Sequence, residues 1–360
     1  MQKKVSGLVK KAVYSILGAG FVFAFCSCQD PIFYHINQEV KLEEASIFGD
    51  VYRITRHTSS SGEERLYFAN GYIYYKATDA DGYGKWKKCS KPSGHVVSVV
   101  SDNSALYALV FTSDRNDIRG EMEITGKRIY KSTDDGATWT IHPKTAVADA
   151  MTSCGKGNSV SLMCTNSLAS GNRKAYANIR GTIYNLTSGD TVDHGTTVGS
   201  TTSNTRSCAD AGSGVKFFNC YGACASKDSG GKIFVSSNAE ISVYDSSGTV
   251  IEEFMTSVGT IYGIAVFDNG NEVLVTSSSG SALYRKTGSS WNEVEYANLT
   301  STVSSLYEGY YAIAADPSKS ALETAAYAAI AVEGNGSNSA QFTHEGLWAY
   351  YPARGKWNIE

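Results

Sequence analysis

The stretch "GKRIYKSTDDGATW" at residues 126–139 decides how this chain is to be read. A glycine opens it, a short apolar segment follows to Tyr130, and a polar turn at Asp134, Asp135 and Gly136 leads to Trp139. Three readings suit such a run: a metal-binding loop, a piece of an active site, or a turn with a buried aromatic anchor. An EF-hand-type loop needs a further bidentate acid downstream, and none follows Trp139. A turn needs what is present. An Asp side chain accepts bonds from turn amides, Gly136 permits a positive φ, and the indole packs beneath. The residues favour the turn.

The same template recurs along the chain. "GYIYYKATDADGYGKW" carries Tyr75, Gly82 and Trp86, and "GTIYNLTSGDTV" keeps Tyr184 and Gly189. "ISVYDSSGTVI" keeps Tyr244 and Gly248, "GSALYRKTGSSW" gives Tyr284, Gly288 and Trp291, and "GLWAYYPARGKW" gives Tyr350, Gly355 and Trp357. The tyrosines are spaced by 40 to 66 residues, and a period of about 50 marks a propeller whose blades bury their faces only against one another. Short apolar runs bounded by Gly, Asn, Asp or Ser, such as "HVVSVV" and "ALYALVF", supply the other strands. The composition agrees: 35 glycines, 23 tyrosines and 42% hydrophobic residues suit strands, turns and a large core. The expectation is an all-β, six-bladed β-propeller over residues 47–360, with four antiparallel strands per blade. Seven blades is the alternative count, if a strand-poor unit lies around residues 145–215. The first and last blades read as complete, so closure need not borrow a strand across the termini.

Within the template, "STDDGATW" matches Ser132, Asp134, Gly136, Thr138 and Trp139 to the pattern Ser-x-Asp-x-Gly-x-Thr-Trp. This resembles the Asp-box, or BNR repeat, of sialidases, related glycosidases and many non-enzymatic propellers. The resemblance implies a structural turn between the third and fourth strands of a blade, facing away from any active site. Only the second unit carries the full box; Ala77 replaces the leading serine in the first, and the others lose the Asp or the Trp.

The first residues are a targeting segment. Lys3, Lys4, Lys10 and Lys11 precede an uncharged run at residues 12–25, whose 14 residues fall short of the ~20 that span a bilayer. "FCSCQD" follows, with Ser27 before Cys28. It resembles, in relaxed form, the lipobox of bacterial lipoproteins. The resemblance implies a signal peptide over 1–27, diacylation of Cys28, a tether over 28–46, and anchoring on the periplasmic face or cell surface. The alternative is a plain secretory signal cut nearby. In an exported chain the remaining cysteines (89, 154, 164, 208, 220 and 224) suggest structural disulfides or inert thiols, with Cys154–Cys164 and Cys220–Cys224 the nearest pairs. "CYGAC" lacks the two-residue spacing of a redox motif or zinc knuckle.

Chemistry is sparse elsewhere. The sequence contains neither His-Glu-x-x-His nor Gly-x-Ser-x-Gly, and the six histidines lack ligand spacing, so no metal and no cofactor is expected. A net charge of −3 gives no reason to expect nucleic acid. Sialidase-like activity would imply three arginines holding a carboxylate, a Tyr–Glu nucleophile pair and an Asp acid/base. "VYRITRH" offers Arg53 for the first arginine, but Thr55 stands where the family has proline. Arg128, Arg180 and Arg285 adjoin the outer-strand templates, far from a central pocket. The favoured reading is a non-enzymatic scaffold for a protein or glycan partner, in contact with the membrane through its lipid; the alternative is a sialidase-like glycoside hydrolase. Long loops at 112–126, 194–214 and 333–346 fall on the rim opposite the Asp-box. Asp114, Arg115, Arg119, Glu121, Arg206 and His344 are the candidate contacts there.

Overall fold

The computed structural model describes Ile47 and residues 51–360, apart from isolated positions, pairs and the runs 116–121, 156–159, 194–204, 211–214, 219–222, 226–230, 301–306 and 333–345. The chain divides into two compact units, residues 1–43 and 44–360, and the described residues all belong to the second.

Its strands form seven antiparallel sheets, six of four strands and one of two. Blade 1 is β1 (Ile54–Thr58), β2 (Glu64–Ala69), β3 (Ile73–Ala77) and β4 (Lys87–Lys88). Blade 2 is β5 (His95–Ser101), β6 (Leu106–Arg115), β7 (Met122–Ser132) and β8 (Thr140–Ile141). Blade 3 runs through β9 (Val160–Cys164), β10 (Ala175–Ile179), β11 (Thr182–Asn185) and β12 (Thr191–Val192). Blade 4 has only β13 (Ser207–Asp210) and β14 (Val215–Phe218) among the described residues. Blade 5 comprises β15 (Ala223–Ala225), β16 (Ile233–Ser237), β17 (Glu240–Tyr244) and β18 (Val250–Met255). Blade 6 comprises β19 (Ile261–Phe267), β20 (Glu272–Ser277), β21 (Gly280–Thr287) and β22 (Ser290–Val294). Blade 7 is β23 (Tyr307–Ala314), β24 (Ala326–Val332), β25 (Gly346–Tyr351) and β26 (Lys356–Ile359).

The period-2 pleat explains why the sheets close into a ring. Successive side chains of a strand face opposite ways, so a strand apolar on both faces must be covered on both. In β2, Leu66 and Phe68 join a cluster with Tyr327 and Leu347 of blade 7, whereas Tyr67 and Ala69 join one with Val99 and Leu106 of blade 2. Every pair of consecutive blades shares such a cluster. The remaining interfaces are marked by Tyr107 with Leu162, Tyr176 with Phe217, Phe218 with Ile233, Phe234 with Val266, and Phe267 with Trp348. Inner strands pack on one another in order, and β23 meets β1. The fold is a β-propeller.

Six blades was one too few. All six template tyrosines lie on third strands, β3, β7, β11, β17, β21 and β25. Among the described residues blade 4 has two strands and no turn between a third and a fourth, so it shows no template. Only residues 219–222 separate β14 from β15. The strand-poor stretch around 145–215 also holds a helix, α1 (Thr145–Ser153), which presses Val147 and Met151 onto the cluster between blades 2 and 3. Their i, i+4 spacing, with Ala150 beside them, gives the helix one apolar stripe.

Blades 1 and 7 each have four strands, as expected, and polar groups add to the apolar cluster at the seam between them. Ile47 N donates to Glu360 O at 2.9 Å, and Glu360 N donates to Leu347 O at 2.8 Å. Lys76, though buried, donates to Tyr351 OH at 2.6 Å and Gly82 O at 2.8 Å. The rings of Tyr351, Tyr327 and Trp86 stand 4.7, 5.4 and 5.7 Å from its ammonium. Tyr351 in turn donates to the Glu360 carboxyl, which also accepts from Gly84 N at 3.1 Å. Burial pushes the Glu360 carboxyl up from its ordinary value, against the pull of Lys76.

Candidate functional site

The Asp-box turn between β7 and β8 builds itself from its own side chains. Asp134 accepts from Ser132 Oγ at 2.7 Å, Thr138 N at 2.9 Å and Thr138 Oγ1 at 2.6 Å, and Ser132 Oγ accepts from Gly136 N at 2.9 Å. Hydrogen bonds from Thr138 and Ser132 hold the Asp134 carboxyl at about 2. Gly136 has φ +86° and lies against Cys89, and Trp139 Nε1 donates to Ser90 O at 3.0 Å, pinning the turn to blade 1. With its acceptor capacity turned inward, Asp134 is a turn residue. The register puts Ser132 beside Leu106, at the opposite end of the sheet from the Arg115–Met122 pair, so this turn and the far end of the β6–β7 pair lie at opposite rims.

The adjacent Asp135 behaves differently. In a left-handed backbone (φ 57°), it reaches blade 1 and accepts from Ser60 N at 3.0 Å and Ser60 Oγ at 2.7 Å. It also meets His57 Nε2 at 3.1 Å, and His57 Nδ1 meets Ser101 Oγ at 2.8 Å. The order Asp–His–Ser is that of a nucleophilic triad, but the surroundings are not. Ser101 is 1% exposed, its Oγ lies 2.6 Å from Asp102 O, and its N–H donates to Thr55 Oγ1 at 3.1 Å. No substrate carbonyl could reach that hydroxyl, so the constellation locks blade 1 to blade 2. Burial lowers the His57 pKa, opposed by Asp135 and assisted by Arg173.

On and beside the inner strand of blade 1 the structure buries two arginines that sequence reasoning passed over. Arg56 on β1 donates to the carbonyl oxygens of Ala314 and Ala315 at the end of β23. Arg173 precedes β10 and is fully buried; it donates to Ser167 O at 2.7 Å, Thr58 Oγ1 at 2.8 Å and Glu64 Oε2 at 2.6 Å. Glu64 is held below the usual carboxylate range by Arg173 and by Thr58, against its own burial. Asn166, with φ 50°, accepts from Arg56 N at 2.8 Å and donates to Ile54 O at 2.9 Å. Through it the β9–β10 hairpin crosses from blade 3 to the inner edge of blade 1. Arg53 is partly buried just before β1, and its charge is felt at Cys164. Arg128 and Arg180 are exposed, and Arg285 pairs with Glu272 at 2.7 Å. Arg56 and Arg173 are therefore both engaged with the chain's own oxygens. Among the described residues, no three His, Cys, Asp or Glu side chains gather to hold a metal ion.

The other expected site residues fare as follows. Residues 112–126 were read as a loop; much of the segment is instead strand, since β6 and β7 continue pairing as far as Arg115 with Met122, past a bulge at Thr112. On the β7 arm Met122 and Ile124 alternate with Glu123 and Thr125, whereas the β6 arm, Thr112 to Arg115, is wholly polar and gives no strand signal. Asp114 and Arg115 lie on its β6 arm. Arg119, Glu121, Arg206 and His344, and likewise Cys28, lie outside the described residues. The expected Cys154–Cys164 bridge is not formed: Cys164 keeps its thiol, 3.4 Å from both Thr55 Oγ1 and Asn166 Oδ1. Proximity in sequence misled because Cys154 closes α1 while Cys164 ends the inner strand β9. Cys224 is on β15 opposite Phe234, and its expected partner Cys220 lies outside the described residues.

No family model matches the chain, and no curated protein matches it. Among solved structures it is similar to the β-propeller domain of Cps50 (Swd1) from Myceliophteria thermophila, at 10% identity over 78% of this chain and 80% of that one, with a TM-score of 0.35. At that level of likeness the propeller rests on this chain's own strand pairing and its closed ring of clusters.

Proposed function

We propose that this protein is an exported propeller, anchored by lipid on Cys28, that binds a protein or glycan partner and carries out no reaction on it. The observation that supports the scaffold reading is that the buried arginines beside the inner strand of blade 1 are already engaged. Arg56, Arg173 and Asn166 bind main-chain and side-chain groups of their own chain, where a sialidase-like hydrolase would present arginines to a substrate carboxylate. The anchor is supported by the basic leader, the apolar run and "FCSCQD". Contact with the partner is assigned to the rim opposite the Asp-box, where Asp114, Arg115, Arg119, Glu121, Arg206 and His344 are the residues to test.

Two measurements check this. Pull-down with the full chain and with the loops at 194–214 and 333–346 shortened should recover a partner that the shortened forms lose. Hydrolysis of sialosides or other glycosides at enzymatic rates would overturn the scaffold reading. For the anchor, labelled palmitate should enter the wild-type chain and not Cys28→Ser.

A further inference from the structure

The outer edge of blade 1 concentrates positive charge in a chain whose net charge is −3. "KWKKCSK" places Lys85, Lys87, Lys88 and Lys91 within seven residues that contain no acid. All four are exposed, and none forms an ion pair among the described residues. Two of them are organised by one ring. Tyr72, in the turn between β2 and β3, is 49% exposed, and the ammonium groups of Lys88 and Lys91 lie 4.4 and 4.9 Å from its ring centroid. Lys88 also lies 5.5 Å from the Tyr74 ring, and Lys91 donates to Gly94 O at 2.6 Å. Tyrosine faces attract cations through the ring quadrupole, so Tyr72 holds two like charges close together where mutual repulsion would part them.

We propose that this edge binds an acidic polysaccharide, with Lys88 and Lys91 pairing to its carboxylate, sulfate or phosphate groups and Lys85 and Lys87 extending the contact. The proposal rests on the scaffold reading above and selects the chemistry of the ligand. Charge complementarity calls for a polyanion. The rest of the patch separates the kinds of polyanion. A protein partner takes its binding energy from aromatic or aliphatic anchors in desolvated pockets. Among the described residues of this edge, Tyr72 is the large apolar side chain on show, beside exposed Ser90 and Ser93. β4 has two residues, too few to template an added strand. Lys87 and Lys88 are adjacent on a strand and project to opposite faces, so the charges wrap an edge; a planar lipid surface would meet only part of them. A flexible chain of hydroxylated, acidic sugars follows such an edge and hydrogen-bonds to its serines.

The test uses the full chain and immobilised alginate, with neutral dextran and vesicles containing phosphatidylglycerol alongside. Binding to alginate should weaken as salt rises and be absent on dextran. Lys88→Gln/Lys91→Gln should weaken it about tenfold, as expected for two exposed charge contacts. Tyr72→Leu, which leaves the charge unchanged, should weaken it about threefold. Lys174→Gln/Lys319→Gln, removing the same charge elsewhere, should leave it intact. Equal loss in the control pair, no loss with Tyr72→Leu, or binding to vesicles without binding to alginate would each overturn the proposal. A chain that ignores alginate yet recovers a protein partner overturns this inference and leaves the scaffold reading standing; glycoside hydrolysis overturns the scaffold reading itself.

Discussion

Asp134 and Asp135 are neighbours with separate tasks. Asp134 folds its own turn; Asp135, at the variable position between Asp134 and Gly136, joins that turn to the Ser59–Glu63 hairpin of blade 1. Ser132, Asp134 and Thr138 were legible because the bonds that shape the turn close within four positions. Asp135 was not, because its partners are 75 and 78 residues away. Gly136 connects the two roles. A Cβ there would meet Cys89 Sγ at 3.1 Å and would demand a left-handed alanine. Gly136→Ala should cost about 1–2 kcal/mol, read as a lower midpoint in urea.

At the scale of the element, the β9–β10 hairpin has the largest effect that its sequence conceals. "TNSLASGNRKA" reads as an ordinary polar turn, yet Arg173 and Asn166 reach partners 109 to 115 residues distant. Local chemistry gives no sign of such contacts. By contrast, the third-strand tyrosines were readable because each strand is followed by its own turn, and blade 4 escaped the count because it shows no such turn among the described residues. Arg173→Ala would strip the buried partner from Glu64 and Thr58 together. Since Glu64 is partly solvated, the loss should be about 2–4 kcal/mol, below that of a wholly buried pair. Glu64→Gln, which keeps an acceptor for the guanidinium, should cost less in the same denaturation experiment.

For the whole molecule, two buried histidines set the acid side of the stability curve. Burial lowers the pKa of His57 and of His142, whose Nε2 lies 2.8 Å from Leu186 O between blades 2 and 3. Unfolded histidine titrates near 6.5. A group whose folded value is depressed binds protons more readily when unfolded, so its stabilising effect is complete above about 6.5 and is lost as pH falls through the folded value. Tm should therefore hold steady from pH 8 to 7 and decline below about 6.5. In His57→Gln the decline should be shallower. A Tm that rises on acidification over that range would contradict the burial of both rings.

The crossing from Asn166 to β1 also changes how the ring can come apart. A circle of units bound only to their neighbours opens wherever one contact breaks, and its stability sums unit by unit. A chord between units 1 and 3 turns that arc into a triangle, and a triangle cannot be hinged open at one corner. Breathing motions should then begin in the untriangulated arc from blade 4 through blade 7. In hydrogen exchange, the amides of β1, β5 and β9 should be the last inner-strand amides to exchange.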